Sequence, residues 1–165
     1  MHITAHGDSH IGRIRQTNED HYLYEQIGDE EHLFVVADGM GGHQAGDVAS
    51  RLGSQSFVAS YKRLRKQKTA IADALVESLR KANDAILRKA RSDPAKKGMG
   101  TTFSAAAIDG DHLHMIHVGD SRIYLIRNDV IRRLTTDQTF VAKMVEDGRI
   151  TEEEARDHPQ KNILY

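Results

Sequence analysis

The chain has 165 residues and a formal net charge of −1, from 23 basic and 24 acidic side chains. This length fits one domain, over residues 1–165, which can bury enough surface to fold without a disulfide or a structural metal. The chain contains no cysteine, which excludes structural disulfides, cysteine-rich zinc sites and enzymes with a cysteine nucleophile. The balanced charge does not indicate binding to nucleic acid or to an anionic membrane.

The N-terminal residues do not resemble a secretion signal, because no basic segment is followed by an apolar one. No apolar stretch approaches the roughly 18 residues that a membrane span requires. We therefore expect a cytoplasmic protein that binds neither membranes nor nucleic acids.

Three strands are predicted before the first helix: around Ile3 and Ala5, over 20–27 and over 32–37. The third is an uninterrupted apolar run, which is typical of a buried strand. It ends at Asp38.

Two amphipathic helices follow. The first carries apolar residues at helical spacing and ends in a basic stretch over 62–68, which we interpret as solvated because no aromatic side chains follow to stack on bases. Thr69 is the predicted N-cap of the second helix. The apolar positions are Ala45, Val48, Ala49 and Leu52 in the first helix, and Ile71, Leu75, Leu79, Ala82 and Ile86 in the second.

After Gly98 the chain returns to strands and then to short helices. Turn pairs at Asp109-Gly110 and Asn128-Asp129 predict hairpins. A helix over 138–147 would place Phe140, Val141, Met144 and Val145 inside and end at Gly148, and Thr151 with Glu154 predicts a capping box. The four predicted strands are 101–108, 112–118, 123–126 and 130–134.

Strands occur in runs rather than in strict alternation with helices, which favours antiparallel sheets over one parallel sheet. The sequence therefore predicts an α+β domain in which helices cover antiparallel sheets.

Asp38 directly follows the buried strand and precedes Gly39-Met40-Gly41-Gly42, which predicts a sharp turn where backbone approaches a ligand. A carboxylate at this place is costly to bury unless it is paired or holds a metal. Glu19, Asp20 and Asp120 supply further carboxylates. Such oxygen donors suit Mg²⁺ or Mn²⁺ better than zinc. We infer a metal site that acts on a phosphorylated substrate.

Five segments together resemble the metal-dependent serine/threonine protein phosphatases of type 2C, in their bacterial form. Each segment alone is short, but all five occur in the family's order. They are Gly12-Arg13-Ile14-Arg15-Gln16-Thr17-Asn18-Glu19-Asp20, Val36-Ala37-Asp38-Gly39-Met40-Gly41-Gly42-His43, Gly98-Met99-Gly100-Thr101-Thr102, Gly119-Asp120-Ser121-Arg122 and Leu134-Thr135-Thr136-Asp137-Gln138.

The resemblance implies an α-β-β-α sandwich with two Mg²⁺ or Mn²⁺ ions between its sheets. Asp38 matches the aspartate that bridges the ions, and Gly39 matches the residue whose carbonyl binds one of them; glycine would be required because a side chain would crowd the metal. Glu19 and Asp20 match acidic residues that hold metal-bound waters. Asp120 matches an aspartate that helps to bind a third, looser ion.

The resemblance also implies the reaction. Arg15 matches the arginine that grips the substrate phosphate, and residues 148–162 match a mobile flap. The ions lower the pKa of a water that then attacks the phosphorus of phosphoserine or phosphothreonine. Phosphorylated proteins would be the substrates, in opposition to a serine/threonine kinase.

Two departures from the family pattern affect this expectation. Two further metal-binding aspartates of the family, and the last strands of a sheet, lie beyond the point where this sequence stops at Tyr165. The sequence therefore matches an N-terminal, truncated part of the catalytic domain, whose own activity we expect to be impaired. Met40 replaces a histidine that many eukaryotic relatives carry as a proposed general acid, and His43 is not assigned that role.

Simpler interpretations exist for each site residue. Asp38 could cap the following helix, Asp120 could be a turn residue, and Arg15 could form a plain surface salt bridge. Glu19 and Asp20 could be a solvated strand start. A zinc site at His112 and His114, on one strand face, is a further alternative that the sequence favours less than surface histidines.

Two other functions compete with a protein phosphatase. One is a non-catalytic phosphoprotein-binding or regulatory module, which the missing ligands favour. The other is a general phosphohydrolase that acts on small phosphoesters.

Overall fold

The computed structural model of the protein describes residues 2–41 and 45–165. They divide into two compact units, one ending at Ile116 and the other running from His117 to Tyr165. Both units combine antiparallel strands with helices. The predicted α+β class, with antiparallel sheets and flanking helices, is therefore confirmed.

The first unit is built on a five-stranded sheet and two 22-residue helices. The strands follow the order β1-β2-β4-β5, with the short β3 paired to the end of β2. The elements are β1 (Asp20–Gln26), β2 (Glu31–Met40), α1 (Ala45–Lys66), α2 (Ile71–Ser92), a 3₁₀ turn (Pro94–Lys96), β3 (Gly100–Thr101), β4 (Phe103–Asp109) and β5 (His112–Val118).

The two faces of this sheet differ in burial because side chains alternate along a strand. Leu33, Val35 and Ala37 of β2 are at most 1% exposed, on the face covered by the helices. On the opposite face Val36 is 49% exposed, and its cross-strand partner Tyr22 is 43% exposed. The apolar run therefore predicted the buried strand correctly, although only one of its faces is in the core.

The main core lies between the sheet and the two helices. Phe57 of α1 is fully buried, with its ring centroid 4.8 Å from that of Phe103 in β4. Small side chains let the helices approach each other: a Cβ added at Gly53 of α1 would lie 3.1 Å from Cδ1 of Ile86 in α2. The remaining buried members of this core include Val58, Tyr61, Leu64, Ile71, Ala74, Leu75, Ala82, Ala105 and Ala107.

A polar cluster closes the end of this core. The Tyr61 hydroxyl donates to Glu31 Oε1 at 2.7 Å, and the Arg65 guanidinium donates to both Glu31 oxygens at 2.8–2.9 Å. Burial, followed by the bond to Glu31, raises the pKa of Tyr61. The carboxylate of Glu31 is buried only in the company of these donors, which offset its desolvation.

The second unit contains a hairpin and two short helices: β6 (Tyr124–Arg127), β7 (Val130–Arg133), α3 (Phe140–Glu146) and α4 (Glu152–Arg156). Asn128 and Asp129 connect the strands with φ of 51° and 59°, the left-handed pair that a two-residue hairpin turn requires. Thr151 and Glu154 form the predicted capping box at the start of α4.

Three local predictions were wrong. Ile3 and Ala5 lie in a segment without regular structure. Thr69 does not cap α2, since the N-cap is Ala70; instead the Thr69 N–H donates to Leu64 O at 3.1 Å and closes α1. Phe140 is 40% exposed rather than inside.

Among the described residues, no helix has the length and apolar character needed to cross a membrane.

Candidate metal site

Asp20 and Asp38 lie directly opposite each other on β1 and β2, as Cα partners in the antiparallel register. Strand alternation places both on the sheet face that points away from α1 and α2, together with Tyr22 and Val36. Cross-strand partners lie about 4.5–5.5 Å apart. The fold therefore brings two of the predicted carboxylates together, on the face that the helices leave uncovered.

Two threonines fix the backbone of Asp38. Its N–H donates to Thr102 Oγ1 at 3.0 Å, and its carbonyl accepts from the Thr102 N–H at 2.8 Å and from Thr101 Oγ1 at 3.0 Å. The sequence placed both threonines in a motif but gave them no role. The motif that contains them was the only signal in the sequence. Their role could not be predicted from it, because only the fold shows that β3 pairs with the end of β2.

Gly39 is required by packing against α1. A Cβ at this position would lie 2.1 Å from the carbonyl oxygen of Gly46 and 2.7 Å from that of Glu19. The Gly39 N–H also donates to Glu19 O at 3.0 Å. Gly39 thus lies inside strand β2, so the predicted turn does not begin before Gly41. Close contact with the helix backbone explains glycine at position 39 without a metal.

Glu19 turns toward the start of α1. A Cβ at Gly46 would lie 2.4 Å from Glu19 Oε1. The carboxylate therefore lies beside the first turn of α1, where the helix dipole favours negative charge. Arg15 Nη1 lies 3.9 Å from Glu19 Oε2, and the Arg15 side chain is 62% exposed. This loose pair leaves most of the guanidinium accessible to an anion.

The surroundings of Asp20 on this face are open. The next residue, His21, is paired with Ala37 and lies on the helix face, where burial, then the positive charge of Arg51, lowers the pKa of its imidazole. A cleft of about 410 Å³ borders Asp20, and its walls come from residues 5–9 and from the apolar side chains of Tyr22, Phe34 and Val36. Asp20 therefore adjoins a space of ligand size.

Asp120 lies in the second unit, after β5. Gly119, which precedes it, is buried with a φ of 107°, a conformation that glycine adopts without strain. Arg122 and Asp137 form a two-pronged ion pair beside this loop, with Nη2 to Oδ2 at 2.7 Å. That hydrogen bond, opposed by burial, lowers the pKa of Asp137.

The donor set fits Mg²⁺ or Mn²⁺ in its chemistry. Asp20 and Asp38 offer hard oxygen ligands on one face, and Mg²⁺ is commonly held by one or two carboxylates with waters and phosphate oxygens in the other positions. Within residues 2–41 and 45–165, no three or more Asp, Glu or His side chains are grouped closely enough to hold a metal by themselves. The described chain thus supplies part of a coordination shell.

The structure gives no support to a zinc site on β5. His112 is highly exposed, and its Nδ1 lies 2.7 Å from Asp111 Oδ1. His117 Nε2 lies 3.0 Å from the Gly119 carbonyl oxygen. His43 and the last glycine of the predicted turn, Gly42, lie outside the described residues.

Known proteins are similar to this chain along almost its whole length. The family model described as protein phosphatase 2C matches residues 6–164. The serine/threonine phosphatase stp of Listeria innocua is 41% identical over 155 residues, which cover 93% of this chain and 62% of that protein. The serine/threonine protein phosphatase PstP of Mycobacterium tuberculosis is 38% identical, with 93% of this chain and 28% of that protein covered.

Solved structures share the fold. A crystal structure of a bacterial serine phosphatase superposes with a TM-score of 0.84 at 35% identity, over 94% of this chain and 63% of that chain. The catalytic domain of PstP in complex with two manganese ions gives a TM-score of 0.73 at 38% identity, over 87% and 60% of the two chains. The chain therefore spans somewhat less than two thirds of several of these relatives.

Proposed function

The chain belongs to the protein phosphatase 2C family, and from this premise we propose that the whole protein hydrolyses phosphoserine and phosphothreonine in proteins with Mg²⁺ or Mn²⁺. The observation that carries the proposal is the cross-strand pair of Asp20 and Asp38 on the uncovered face of the sheet. When bound, the ions activate water and neutralise charge on the phosphoryl group.

Each site residue receives a role in this proposal. Asp38 would hold the ions from a backbone position fixed by hydrogen bonds to Thr101 and Thr102, and the Gly39 carbonyl would supply a further oxygen ligand. Asp20 and Glu19 complete the polar surroundings of the ions. Arg15 binds the substrate phosphate, for which its exposed, planar guanidinium is suited. Asp120 contributes to a third, weaker ion.

We further propose that residues 1–165 are part of one catalytic domain, since the family model runs through both units. The substrates are phosphorylated proteins, and a serine/threonine kinase produces them. PstP, stp and the bacterial serine phosphatases support this substrate class by their names.

The test uses the full-length protein with Mn²⁺ and a phosphothreonine peptide. Asp38→Ala is expected to lower kcat/KM by at least about 100-fold, because loss of groups that only support metal ligands already costs 10–100-fold. The matched control is Asp29→Ala, an exposed carboxylate in the turn of the same β1–β2 hairpin, with an unchanged rate. An unaltered rate in Asp38→Ala would refute the proposal.

Arg15 supports a second candidate, a non-catalytic module that binds phosphoproteins. Its side chain is 62% exposed and only loosely paired with Glu19. This candidate predicts that the full-length protein binds the phosphopeptide, that Arg15→Ala removes binding, and that no phosphate is released. Release of phosphate from nucleotides or sugar phosphates as fast as from the peptide would instead indicate a general phosphohydrolase.

A further inference from the structure

The loop that carries Asp120 is hydrogen-bonded along its length to residues 134–138. At its far end, the Leu134 N–H donates to Ile123 O at 2.8 Å, and the Ile123 N–H donates to Thr135 Oγ1 at 3.1 Å. The Arg122–Asp137 pair joins the two segments in the middle. The loop is therefore held on one side by a single partner segment.

Gln138 closes the near end of this ladder with two hydrogen bonds to one residue. Its backbone N–H donates to Gly119 O at 2.8 Å, and its side-chain Oε1 accepts from the Gly119 N–H at 2.9 Å. Because a backbone N–H can only donate, the side-chain oxygen, not the amide nitrogen, must face it. Both polar backbone groups of the residue before Asp120 are thus bonded to Gln138.

Gln138 also accepts a hydrogen bond from the end of the helical segment that follows it. The Tyr165 N–H donates to Gln138 O at 3.3 Å, and the Phe140 N–H donates to Ile163 O at 2.7 Å. Thr139 and Leu164 form an antiparallel bridge. Residues 139–164, which include α3 and α4, therefore begin and end beside Gln138.

We propose that Gln138 is a positioning residue that orients the carboxylate of Asp120 for a divalent ion and links that carboxylate to both ends of the 139–164 segment. The inference rests on the proposed metal-binding role of Asp120. The physical reason is geometric: with Gly119 bonded at both its N–H and its carbonyl, the peptide that leads into Asp120 has one orientation, so less conformational freedom is lost when the carboxylate binds an ion.

The test measures Mn²⁺ binding to the full-length protein without substrate, by electron paramagnetic resonance of free Mn²⁺. Gln138→Ala is expected to weaken the lowest-affinity Mn²⁺ class about 10-fold, within the 10–100-fold range of residues that support ligands. Asp120→Ala should abolish that class, and the double variant should match Asp120→Ala. The matched control is Gln160→Ala, an exposed glutamine of the same unit, which should bind as wild type.

Two further variants keep the result interpretable if Gln138→Ala folds poorly. Gln138→Glu keeps an acceptor for the Gly119 N–H and should retain most of the affinity, whereas Gln138→Met fills the same space without an acceptor and should lose it. Hydrogen exchange of the Gly119 amide should accelerate in Gln138→Met and Gln138→Ala only.

Three outcomes would overturn the inference. The first is a Mn²⁺ titration of Gln138→Met that superimposes on that of the wild type, and the second is an Asp120→Ala variant that keeps the weak class of Mn²⁺ sites. The third is a double variant that binds Mn²⁺ more weakly than Asp120→Ala, by the same factor by which Gln138→Ala differs from the wild type. Because no substrate is present, a protein that binds Mn²⁺ as described but lacks phosphatase activity would refute the proposed function and leave this inference standing.

Discussion

Each of the two units is stabilised internally by a different kind of contact. In the first unit, Leu33, Phe57 and Phe103 are at most 2% exposed between a sheet and two long helices. In the second unit, Val141 is the one buried apolar side chain among the described residues, whereas Ile126, Val130 and Ile131 of the hairpin are 63–72% exposed. Hydrogen bonds between residues 119–123 and 134–138 hold the second unit instead.

The proposed functional residues therefore lie on elements that differ in stability. Asp38 lies on a strand whose other face is in the core, and Asp20 lies on the neighbouring strand, which packs Leu23 against that core. We therefore expect both residues to be held by apolar packing. Asp120 stands on a loop held by polar contacts that are each worth only about 0.5–1.5 kcal/mol. We therefore expect a lower free energy of local opening around Asp120 than around Asp38.

The largest effect is expected from the core of the first unit. Phe57→Ala should lower the free energy of unfolding by about 3–5 kcal/mol, because it removes a buried ring and leaves a cavity between α1 and β4. Urea unfolding followed by far-UV circular dichroism measures the change. Val76→Ala on the exposed side of α2, where the side chain is 42% exposed, is the control and should change stability by less than about 0.5 kcal/mol. Similar losses in both variants would mean that apolar burial does not distinguish this core.

The sequence predicted the elements whose signals are local. Alternation and an apolar run located β1 and β2, and the period of apolar residues located α1 and α2. The capping box at Thr151 and the left-handed turn at Asn128-Asp129 were also correct, because both depend on residues only a few positions apart.

Features that depend on distant contacts could not be predicted. Thr69 is of a residue type that favours the N-cap position, but Ala70 holds that position in α2. The Thr69 N–H instead donates to the carbonyl of Leu64 near the end of α1. Glycine at 39 indicated a turn, whereas the structure uses it for close contact with Gly46. Likewise, the motif that contains Thr101 and Thr102 was visible, but its bonds to Asp38 arise from strands more than 60 residues apart in sequence.

The candidate site was predicted as a set of residues rather than as an arrangement. The chemistry of the residues indicated Glu19, Asp20 and Asp38, and the family resemblance added Arg15 and the individual roles. The fold then placed the carboxylate of Glu19 beside the start of α1, unlike those of the two aspartates. No sequence pattern distinguishes these orientations, because they depend on how β2 packs against the helix.

A smaller effect, on pH dependence, is expected in the second unit. Hydrogen bonding to Arg122 lowers the pKa of Asp137 in the folded state, below the value of about 3.9 for an unfolded aspartate. The pair therefore stabilises the unit fully above that unfolded pKa, and the contribution is lost as the pH falls through the lower folded value. Since the Arg122 side chain is 48% exposed, we expect no more than about 1 kcal/mol after solvent screening.

Hydrogen exchange of the Gly119 and Ile123 amides at pH 5 and pH 3, corrected for intrinsic rates, measures this contribution. Protection should fall with pH in the wild type and change less in Asp137→Asn, while the exposed Asp129→Asn should behave as the wild type. An identical pH response in Asp137→Asn would show that other groups cause the acid sensitivity.

The smallest effect is expected at the capping box of α4. The Thr151 hydroxyl accepts from the Glu154 N–H at 3.2 Å, and the Glu154 carboxylate accepts from the Thr151 N–H at 2.8 Å. Thr151→Ala should cost about 0.5–1 kcal/mol, and the loss should remain local, because α4 has no buried residue. Faster exchange of the Ala155 amide, with unchanged exchange in α1, is the expected result, and Thr151→Ser should restore protection because it keeps the hydroxyl. A change that spread to α1 would show that the polar second unit and the apolar first unit unfold as one, and the contrast between them would then not extend to their stability.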